Sequence, residues 1–149
     1  MNIGNVILKL FLAIVLGGII GIERETSHKP AGLRTNILIC ISSAMMMILA
    51  QLYSDGSEAS RESMRMAAGV ITGVGFLGAG AIIQSRGTIH GLTTASTIWA
   101  VAGLGLVIGA GYLVLAVLFT ALVVLTLVLF RKIEQFLIKK SEKSHPAEQ

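Results

Sequence analysis

The sequence predicts an all-α, polytopic membrane protein, folded as a compact bundle of about five transmembrane helices. The 149-residue chain is 54% hydrophobic and only 13% charged, whereas soluble chains carry about 25% charged residues. Its apolar residues are collected in runs long enough to cross a hydrocarbon core of about 30 Å. The basic residues lie mostly at the ends of these runs, without interleaved aromatic residues. We therefore expect the lipid bilayer as a partner and no nucleic acid.

The first predicted span covers residues 3–22, which is enough to cross the bilayer. Lys9 interrupts this run near the outer end, from where its ammonium group can reach the headgroups. A cleaved signal peptide is the alternative interpretation. We favour a membrane span, because no positive segment precedes the apolar run and no small-residue cleavage site precedes Gly21.

Four further apolar runs predict spans over residues 35–53, 66–83, 92–108 and 112–130. The last two runs are separated by Gly109-Ala-Gly111 alone. One continuous helix over both would be about 60 Å long at about 1.5 Å per residue, roughly twice the thickness of a bilayer core. We therefore predict a tight helical hairpin at these glycines.

The charges between the spans predict the orientation of the bundle. Alternate loops and the C-terminal tail hold nine basic residues, and the opposite loops hold two. The side with the excess of Lys and Arg faces the cytoplasm, so we expect the N-terminus outside and the C-terminus inside. Residues 1–130 then form one transmembrane domain, and residues 131–149 form a basic juxtamembrane tail in the cytoplasm.

The third run contains Gly73-x-Gly75-x-x-Gly78, which matches a dinucleotide-binding fingerprint. That fingerprint has meaning only between a strand and a helix. Here it lies within a membrane-length run, and no acidic residue between Glu62 and Glu134 is available for a ribose. We expect helix packing instead, because small residues let helix backbones approach closely in lipid. The glycines assigned to this packing are Gly69, Gly73, Gly75, Gly78 and Gly80.

Small residues on more than one face predict that the third run is the central helix of the bundle. A Gly75→Leu change is then expected to prevent folding or assembly. Two more pairs at a spacing of four, Gly17 with Gly21 and Gly105 with Gly109, predict close helix contacts of the same kind. Small faces left exposed would favour a homodimer.

Hydroxyl groups open the fourth run, where Thr93 and Thr97 share a helix face and Thr94 adjoins them. Two interpretations stay open. The hydroxyls can bond back to carbonyls of their own helix, or they can form a polar site beside irregular, glycine-rich backbone at residues 87–91. The spans after the first have no Asp or Glu in their interiors. This argues against a carboxylate-lined path for Mg²⁺ but leaves a carbonyl-lined route open.

Charged residues at the cytoplasmic ends of the spans form one candidate polar site. We expect Glu23 or Glu25 to pair with Arg34 or Arg86 and to close the inner end of the bundle, with Arg24 beside them. On the outer side, a second candidate edge begins the third run; its residues are Glu62 and Arg65. Simple anchoring at the membrane interface is the alternative for both edges. The sequence has no nucleotide-binding loop, His/Cys cluster or triad spacing, so we expect neither an enzyme nor a cofactor; binding of Mg²⁺ stays open, because the sequence does not show it.

Four blocks of this sequence resemble the signature of the MgtC/SapB membrane proteins, and they occur in the family's order and spacing. They are GIERE at 21–25, AGLRT at 31–35, RMAAGVITGVGFLGAGAII at 65–83 and GLTTAS at 91–96. The resemblance implies a bacterial inner-membrane protein with about five spans. It also implies a link to magnesium limitation and, in pathogens, to survival inside macrophages. Some members of the family are thought to restrain the proton-translocating ATP synthase.

The resemblance also assigns residues by position. The family often has Asp-Pro-x-Arg before the glycine-rich helix, where this chain keeps the carboxylate and the arginine but has no proline. Longer relatives carry a cytoplasmic ACT-like domain, and the nineteen residues after Phe130 are too few for one. We therefore expect the short form of the family. The residues matched to its blocks are Glu23, Arg24, Glu25, Arg34, Thr35, Arg65, Thr93 and Thr94.

We expect a role in adaptation to low magnesium. The first hypothesis is regulation of another membrane protein, such as the ATP synthase or a transporter, because the spans lack interior carboxylates and carry small-residue faces. The second hypothesis is a transporter or channel for Mg²⁺ or another small solute, passing the hydroxyls of Thr93 and Thr97. A scaffold that organises assemblies or lipids is the third.

Overall fold

The computed structural model describes residues 2–53, 59–85 and 87–144, without the side chains of Ala59 and residues 138–144. The described part contains five α-helices and one β-hairpin, so the predicted all-α bundle of five helices is confirmed and the hairpin is an addition to it. The elements in chain order are α1 (Ile3–Thr26), α2 (Leu33–Leu52), α3 (Ala59–Gly80), β1 (Ile83–Ser85), β2 (Thr88–His90), α4 (Leu92–Ala110) and α5 (Leu113–Ser144).

Four helices in the described part of the chain are long and apolar enough to cross a membrane, namely α1, α2, α4 and residues Leu113–Leu137 of α5. The third helix is not among them, because its first turns carry Arg61, Glu62 and Arg65 and its second half is rich in glycine. Its 22 residues still correspond to about 33 Å at about 1.5 Å per residue. Large apolar side chains are exposed along α1 and α5, as expected of surfaces that face lipid.

Successive helices run in opposite directions, which gives the bundle two ends. At the first, called here the Lys9 end, Lys9 of α1 contacts the last turn of α4. At the second, called the Glu23 end, Glu23 of α1 contacts Arg131 of α5. The α1–α2 loop, the β-hairpin and the start of α4 all lie at the Glu23 end.

The core forms where α2 packs between α1 and α4. Ile20 of α1, Cys40 and Ala44 of α2, and Val101 and Leu104 of α4 are fully buried or nearly so. They belong to one apolar cluster, against which part of α5 also packs. The centre of the bundle is therefore the pair α2 and α4.

One predicted glycine pair brings α1 against α2. A Cβ atom added to Gly17 would lie 2.8 Å from the Cβ of Cys40. One added to Gly21 would lie 2.7 Å from the Cα of Leu33. Side chains do not tolerate such distances, so the close approach of these two backbones depends on glycine.

The second pair brings α4 against α2. A Cβ atom added to Gly105 would overlap the carbonyl oxygen of Cys40, and one added to Gly109 would lie 2.5 Å from the carbonyl oxygen of Ala44. The small residues of α2 at this crossing allow the two helices to touch along their backbones. The predictions for both pairs are confirmed.

The prediction that the third helix is the centre of the bundle is wrong for the single chain that the structure describes. Glycines of α1 and α4 make the close approaches to α2 and occupy both of its sides, which leaves α3 at the periphery against α2 and α4. Gly78 alone of the five predicted packing glycines has a neighbour, with its added Cβ 3.7 Å from the carbonyl oxygen of Ala95. In the described part of the chain, no atom lies within 4 Å of a Cβ added to Gly69, Gly73, Gly75 or Gly80.

The helical hairpin predicted at residues 109–111 is present. The chain turns at Gly111, whose φ of +96° suits glycine because other residues are strained there. The N–H groups of Gly111 and Tyr112 donate to the carbonyls of Ile108 and Val107 and so complete the end of α4. The last helix then continues unbroken to Ser144, so the predicted boundary between span and tail at residue 130 is not a break in the helix.

The β-hairpin replaces the end of the predicted third span. The sequence predicts helix as far as Ile83, but α3 ends three residues earlier and Ile83 pairs with His90 in an antiparallel ladder. After β2, Gly91 has a φ of +90°, and a Cβ atom there would overlap the carbonyl oxygen of Ala81. Glycine at this position therefore lets the hairpin close directly onto the end of α3 and start α4.

Candidate functional site

A buried ion-pair network lies at the Glu23 end. The carboxylate of Glu23 is 9% exposed and accepts hydrogen bonds from Arg24 Nε and from Ser27 Oγ, each at 2.7 Å. Arg131 of α5 places its Nη1 3.4 Å from Oε1 of Glu23. The same Nη1 donates to Ser27 Oγ, which thus accepts from Arg131 and donates to Glu23. The network ties the last turn of α1 to α5.

The end of α1 positions this network through a Schellman motif. The N–H of His28 donates to the carbonyl of Glu25, and the N–H of Lys29 donates to the carbonyl of Arg24, both at 3.0 Å. His28 occupies the left-handed position of the motif with a φ of +52°, where glycine is usual. This conformation costs a residue with a side chain about 1–2 kcal/mol. The motif turns the chain so that His28 and Lys29 lie at one side of the network.

Glu25 has a different role from Glu23. Its Oε2 accepts from the backbone N–H of Leu33 at 2.9 Å and so caps α2, whose own N-cap residue, Gly32, offers no side chain. A carboxylate at a helix N-terminus is favoured by the helix dipole. Asn36 donates to the carbonyls of Ala31 and Gly32, at 2.5 and 2.8 Å, and holds the same loop.

A polar cavity of about 760 Å³ opens beside the network, between the end of α1, the β-hairpin, the first turn of α4 and α5. Three cationic side chains and one carboxylate line it, together with two imidazoles. Apolar side chains of α5 and the hairpin complete the wall. The charged and imidazole residues of the described lining are Arg24, His28, Lys29, His90, Arg131 and Glu134.

The first turn of α4 forms one wall of this cavity, which is lined by residues 91–94. The N-cap residue Gly91 supplies no side-chain acceptor, so the first N–H groups of α4 have no partner within the helix. Thr97 donates to the carbonyl of Thr93 at 2.8 Å, as the first interpretation of these hydroxyls predicts. Thr93 and Thr94 have no helical carbonyl four residues earlier, and Thr94 is buried at the cavity wall.

The ion pairs predicted for the cytoplasmic edge differ from those in the structure. Arg34 and Thr35 are exposed at the start of α2, and in the described part of the chain Arg34 forms no ion pair. The predicted pairing of Glu23 or Glu25 with Arg34 is therefore wrong. Glu25 is engaged as a helix cap, and the partner that reaches Glu23 from another helix is Arg131. Arg86, the other predicted partner, lies outside the described residues.

The predicted outer edge is an exposed pair. Arg65 Nη2 lies 3.3 Å from Glu62 Oε1, one helical turn away, and Arg65 is 77% exposed. Such pairs contribute little to stability. The two residues do not line the polar cavity, so the structure separates them from the Glu23 network.

The Lys9 end holds a second polar contact that the sequence did not reveal. Lys9 Nζ donates to the carbonyl of Gly109 at 2.7 Å and lies 3.3 Å from Oε1 of Gln51. Gln51 in turn donates to the carbonyl of Ala110 at 3.3 Å. Lys9 therefore caps the end of α4 instead of extending towards the headgroups.

The residues missed by sequence reasoning at the Glu23 end are Ser27 and Arg131. Arg131 directly follows the last apolar run and entered the prediction only as one of the positive charges that set orientation. The sequence did contain one indication of this pair, since Arg131 is a basic residue directly after a span and on the same predicted side of the membrane as Glu23. The partner of Arg131 depends on which helices are neighbours, and hydropathy does not indicate that.

The sequence matches the MgtC family over residues 10–136. This chain belongs to the MgtC family. The resemblance inferred from the four sequence blocks is thereby confirmed, and the four long apolar helices agree with a membrane protein. No solved structure was found to match this MgtC-family chain.

Three curated relatives illustrate the match. SapB of Bacillus subtilis is 43% identical over 113 residues, which are 72% of this chain and 49% of SapB. MgtC of Brucella abortus is 38% identical over 125 residues, 84% of this chain and 51% of the relative. The Escherichia coli K12 protein named "Putative magnesium transporter YhiD" is 40% identical over 139 residues, 91% of this chain and 65% of the relative. This MgtC-family chain thus spans about half to two thirds of their length.

Proposed function

We propose that this chain is a multi-pass bacterial inner-membrane protein of magnesium homeostasis, which supports adaptation to low magnesium by regulating other membrane proteins. Its family membership and the names of its relatives support the link to magnesium. The excess of basic residues in alternate loops supports an orientation with the Glu23 end in the cytoplasm.

One observation carries the choice of a regulator over a carrier of Mg²⁺. The polar cavity at the Glu23 end is lined by Arg24, Lys29 and Arg131 and by the N-terminus of α4, with Glu134 as the carboxylate in its described lining. Mg²⁺ prefers carboxylate and water oxygens. Two unit charges 4 Å apart interact by about 4 kcal/mol at an effective dielectric constant of 20, so such a lining disfavours a divalent cation.

The unpacked face of α3 supports regulation through contact with another membrane protein. Gly69 and Gly73, four residues apart on one face of α3, have no neighbour within 4 Å of an added Cβ atom in the described chain. Helices associate in membranes through such small-residue faces. The resemblance to the family makes the ATP synthase or a transporter the first partners to examine.

The test combines flux with growth. The full chain is reconstituted into proteoliposomes with a trapped magnesium indicator, beside empty vesicles and vesicles with the Glu23→Gln variant. In parallel, the chain is expressed in a strain that lacks its own family member and is grown at low magnesium. Growth rescue without flux above that of empty vesicles is the expected result. Magnesium flux through the wild-type chain above that of empty vesicles would overturn the regulatory proposal.

Transport of a small solute is the second candidate function. The observation that favours it is the access of the cavity to the first turn of α4, where Thr93 and Thr94 have no helical carbonyl to bond. A Thr93→Val, Thr94→Val double variant tests this route. If the wild-type chain moves a solute and the double variant moves it equally well, the route does not pass these hydroxyls.

A further inference from the structure

Two buried side chains on the wall of the polar cavity carry hydrogen-bond donors that the described chain does not satisfy. Thr94 is 3% exposed, and its hydroxyl bonds to no described residue, whereas Thr97 and Thr120 donate to carbonyls four residues earlier. Arg24 is also 3% exposed and contacts Glu23 through Nε; its two Nη groups bond to no described residue. Both residues line the cavity, and their free donors are reached from it rather than sealed inside the protein, so they are available to an acceptor that enters the cavity.

The first turn of α4 adds backbone donors to the same wall. Residues 91–94 line the cavity, and the N-cap residue Gly91 provides no side-chain acceptor. The leading N–H groups of α4 are therefore available, and the helix dipole places partial positive charge beside them. Donors from α1 and from α4 thus face one space.

The charge of the lining selects an anion. Arg24, Lys29 and Arg131 line the cavity with Glu134 as the one carboxylate among the described lining residues. Glu23 offsets part of this charge from behind, through its contacts with Arg24 and Arg131. A net positive field remains around the start of α4.

The arrangement of donors favours a phosphate group over other anions. A phosphate has three or more acceptor oxygens in a tetrahedral arrangement, which can meet a guanidinium fork, a hydroxyl and backbone N–H groups from different directions. The cavity volume of about 760 Å³ is typical of sites for larger ligands than a bare ion. Leu127 and Phe130 give it an apolar wall beside the donors.

We propose that this cavity binds a phosphate ester, whose phosphate group contacts the first turn of α4, the Thr94 hydroxyl and the free Nη groups of Arg24. The ester comes either from a soluble metabolite or from a phospholipid headgroup at the membrane surface. The proposal goes beyond the proposed function, since a regulator and a transporter could each use such a site.

The first experiment tests the shared chemistry. Inorganic phosphate is titrated into the full chain, purified in a neutral detergent and freed of phospholipid, with sodium chloride of equal ionic strength as the reference. We expect saturable binding of phosphate beyond the chloride reference. Thr94→Val should weaken it roughly tenfold, the effect of one charge-assisted hydrogen bond. Lys29→Gln should weaken it several-fold.

Matched variants make this result specific. Thr35→Val removes an exposed hydroxyl and Arg34→Gln removes an exposed charge at the same end of the bundle, and neither residue lines the cavity. Both should bind phosphate as the wild type does. Thr94→Val preserves the shape of the side chain. If this variant does not fold, the test rests on Lys29→Gln, because Lys29 is exposed and its replacement should leave the fold intact. Binding that is absent, or that Arg34→Gln weakens as much as Lys29→Gln, overturns the proposal.

The second experiment distinguishes the two sources. The delipidated chain is offered dioleoylphosphatidylglycerol or dioleoylglycerol, which lacks the phosphate, and retained lipid is counted by native mass spectrometry. Retention of the phospholipid alone, lost in Thr94→Val, assigns the site to a headgroup. Phosphate binding without lipid retention assigns it to a soluble ester. Equal retention of both lipids, together with no phosphate binding, contradicts the site.

Discussion

Glu23 of α1 and Arg131 of α5 form an ion pair at 3.4 Å that joins the first and last helices at one end of the bundle. The carboxylate is buried and is held as well by Arg24 and Ser27. Charges are weakly screened away from water, so removing one member of this network leaves an uncompensated buried charge, which costs more than breaking an exposed ion pair. The network closes the bundle beside the polar cavity and keeps the cationic side chains of Arg24 and Arg131 at that wall.

Replacing Glu23 tests the network. Glu23→Gln leaves Arg24 buried without a counter-charge, so we expect the free energy of unfolding to fall by about 3–5 kcal/mol. The measurement is unfolding of the purified chain in detergent, followed by circular dichroism. Glu62→Gln is the control, because its pair with Arg65 is exposed and contributes less than about 1 kcal/mol. Equal losses in the two variants would contradict a special role for the buried network.

Two glycine substitutions distinguish the centre of the bundle from its periphery. Gly105→Ala places a Cβ atom onto the carbonyl oxygen of Cys40, so we expect a loss of about 1–3 kcal/mol from overpacking. Gly75→Ala meets no atom within 4 Å in the described chain and gains up to about 1 kcal/mol of helix propensity. Unfolding curves of both variants give the comparison. A large loss at Gly75 would mean that a second chain packs there, and the oligomeric state would then be measured.

Lys9 supports the opposite end of the bundle. Lys9→Met keeps the length of the side chain but removes its hydrogen bonds to Gly109 and Gln51. We expect a loss of about 1–3 kcal/mol, since a charged donor is removed from a helix-terminal carbonyl. Lys132→Met, at an exposed position of α5, should leave stability unchanged. If Lys9→Met is as stable as the wild type, the capping contact contributes nothing measurable.

His28 carries backbone strain that glycine would relieve. Its φ of +52° disfavours any residue with a Cβ atom, so His28→Gly should stabilise the fold by about 1 kcal/mol. Thr35→Gly, at an exposed helical position, should destabilise it by about 0.5–1 kcal/mol. The thermal midpoints of the two variants should therefore move in opposite directions. A fall in both midpoints would show that the His28 side chain makes a stabilising contact of its own.

Much of the secondary structure followed from the sequence. Runs of apolar residues predicted five helices, and the glycines at 109–111 predicted the hairpin between α4 and α5. The spacing of four predicted that α1 and α4 each make a close helix contact, and the structure shows α2 as the partner of both. These features depend on residues close together in the chain, which is why a single sequence suffices to find them.

The candidate site was predicted in part. Glu23, Arg24, Thr93 and Thr94 were identified, and the structure brings all four to one end of the bundle. The pairing of Glu23 with Arg131 was missed. Each is a charged residue at the end of an apolar run, as is common at membrane interfaces, and the two lie far apart in the sequence. The strands of the β-hairpin were missed because each is three residues long and mostly polar, which is too short to show an alternating pattern, and Ile83 extends the apolar run of α3.

The sequence alone determined that this chain is a helical membrane protein, that it has five helices and which family its blocks resemble. Tertiary structure decided which helices are neighbours, and therefore that α2 and α4 are central, α3 is peripheral and Glu23 meets Arg131. The physical reason lies in the solvent. Lipid is as apolar as the helix faces themselves, so hydropathy does not say which face is inside. Close backbone approach at glycine and the pairing of buried charges select the arrangement, and both depend on the partner helix.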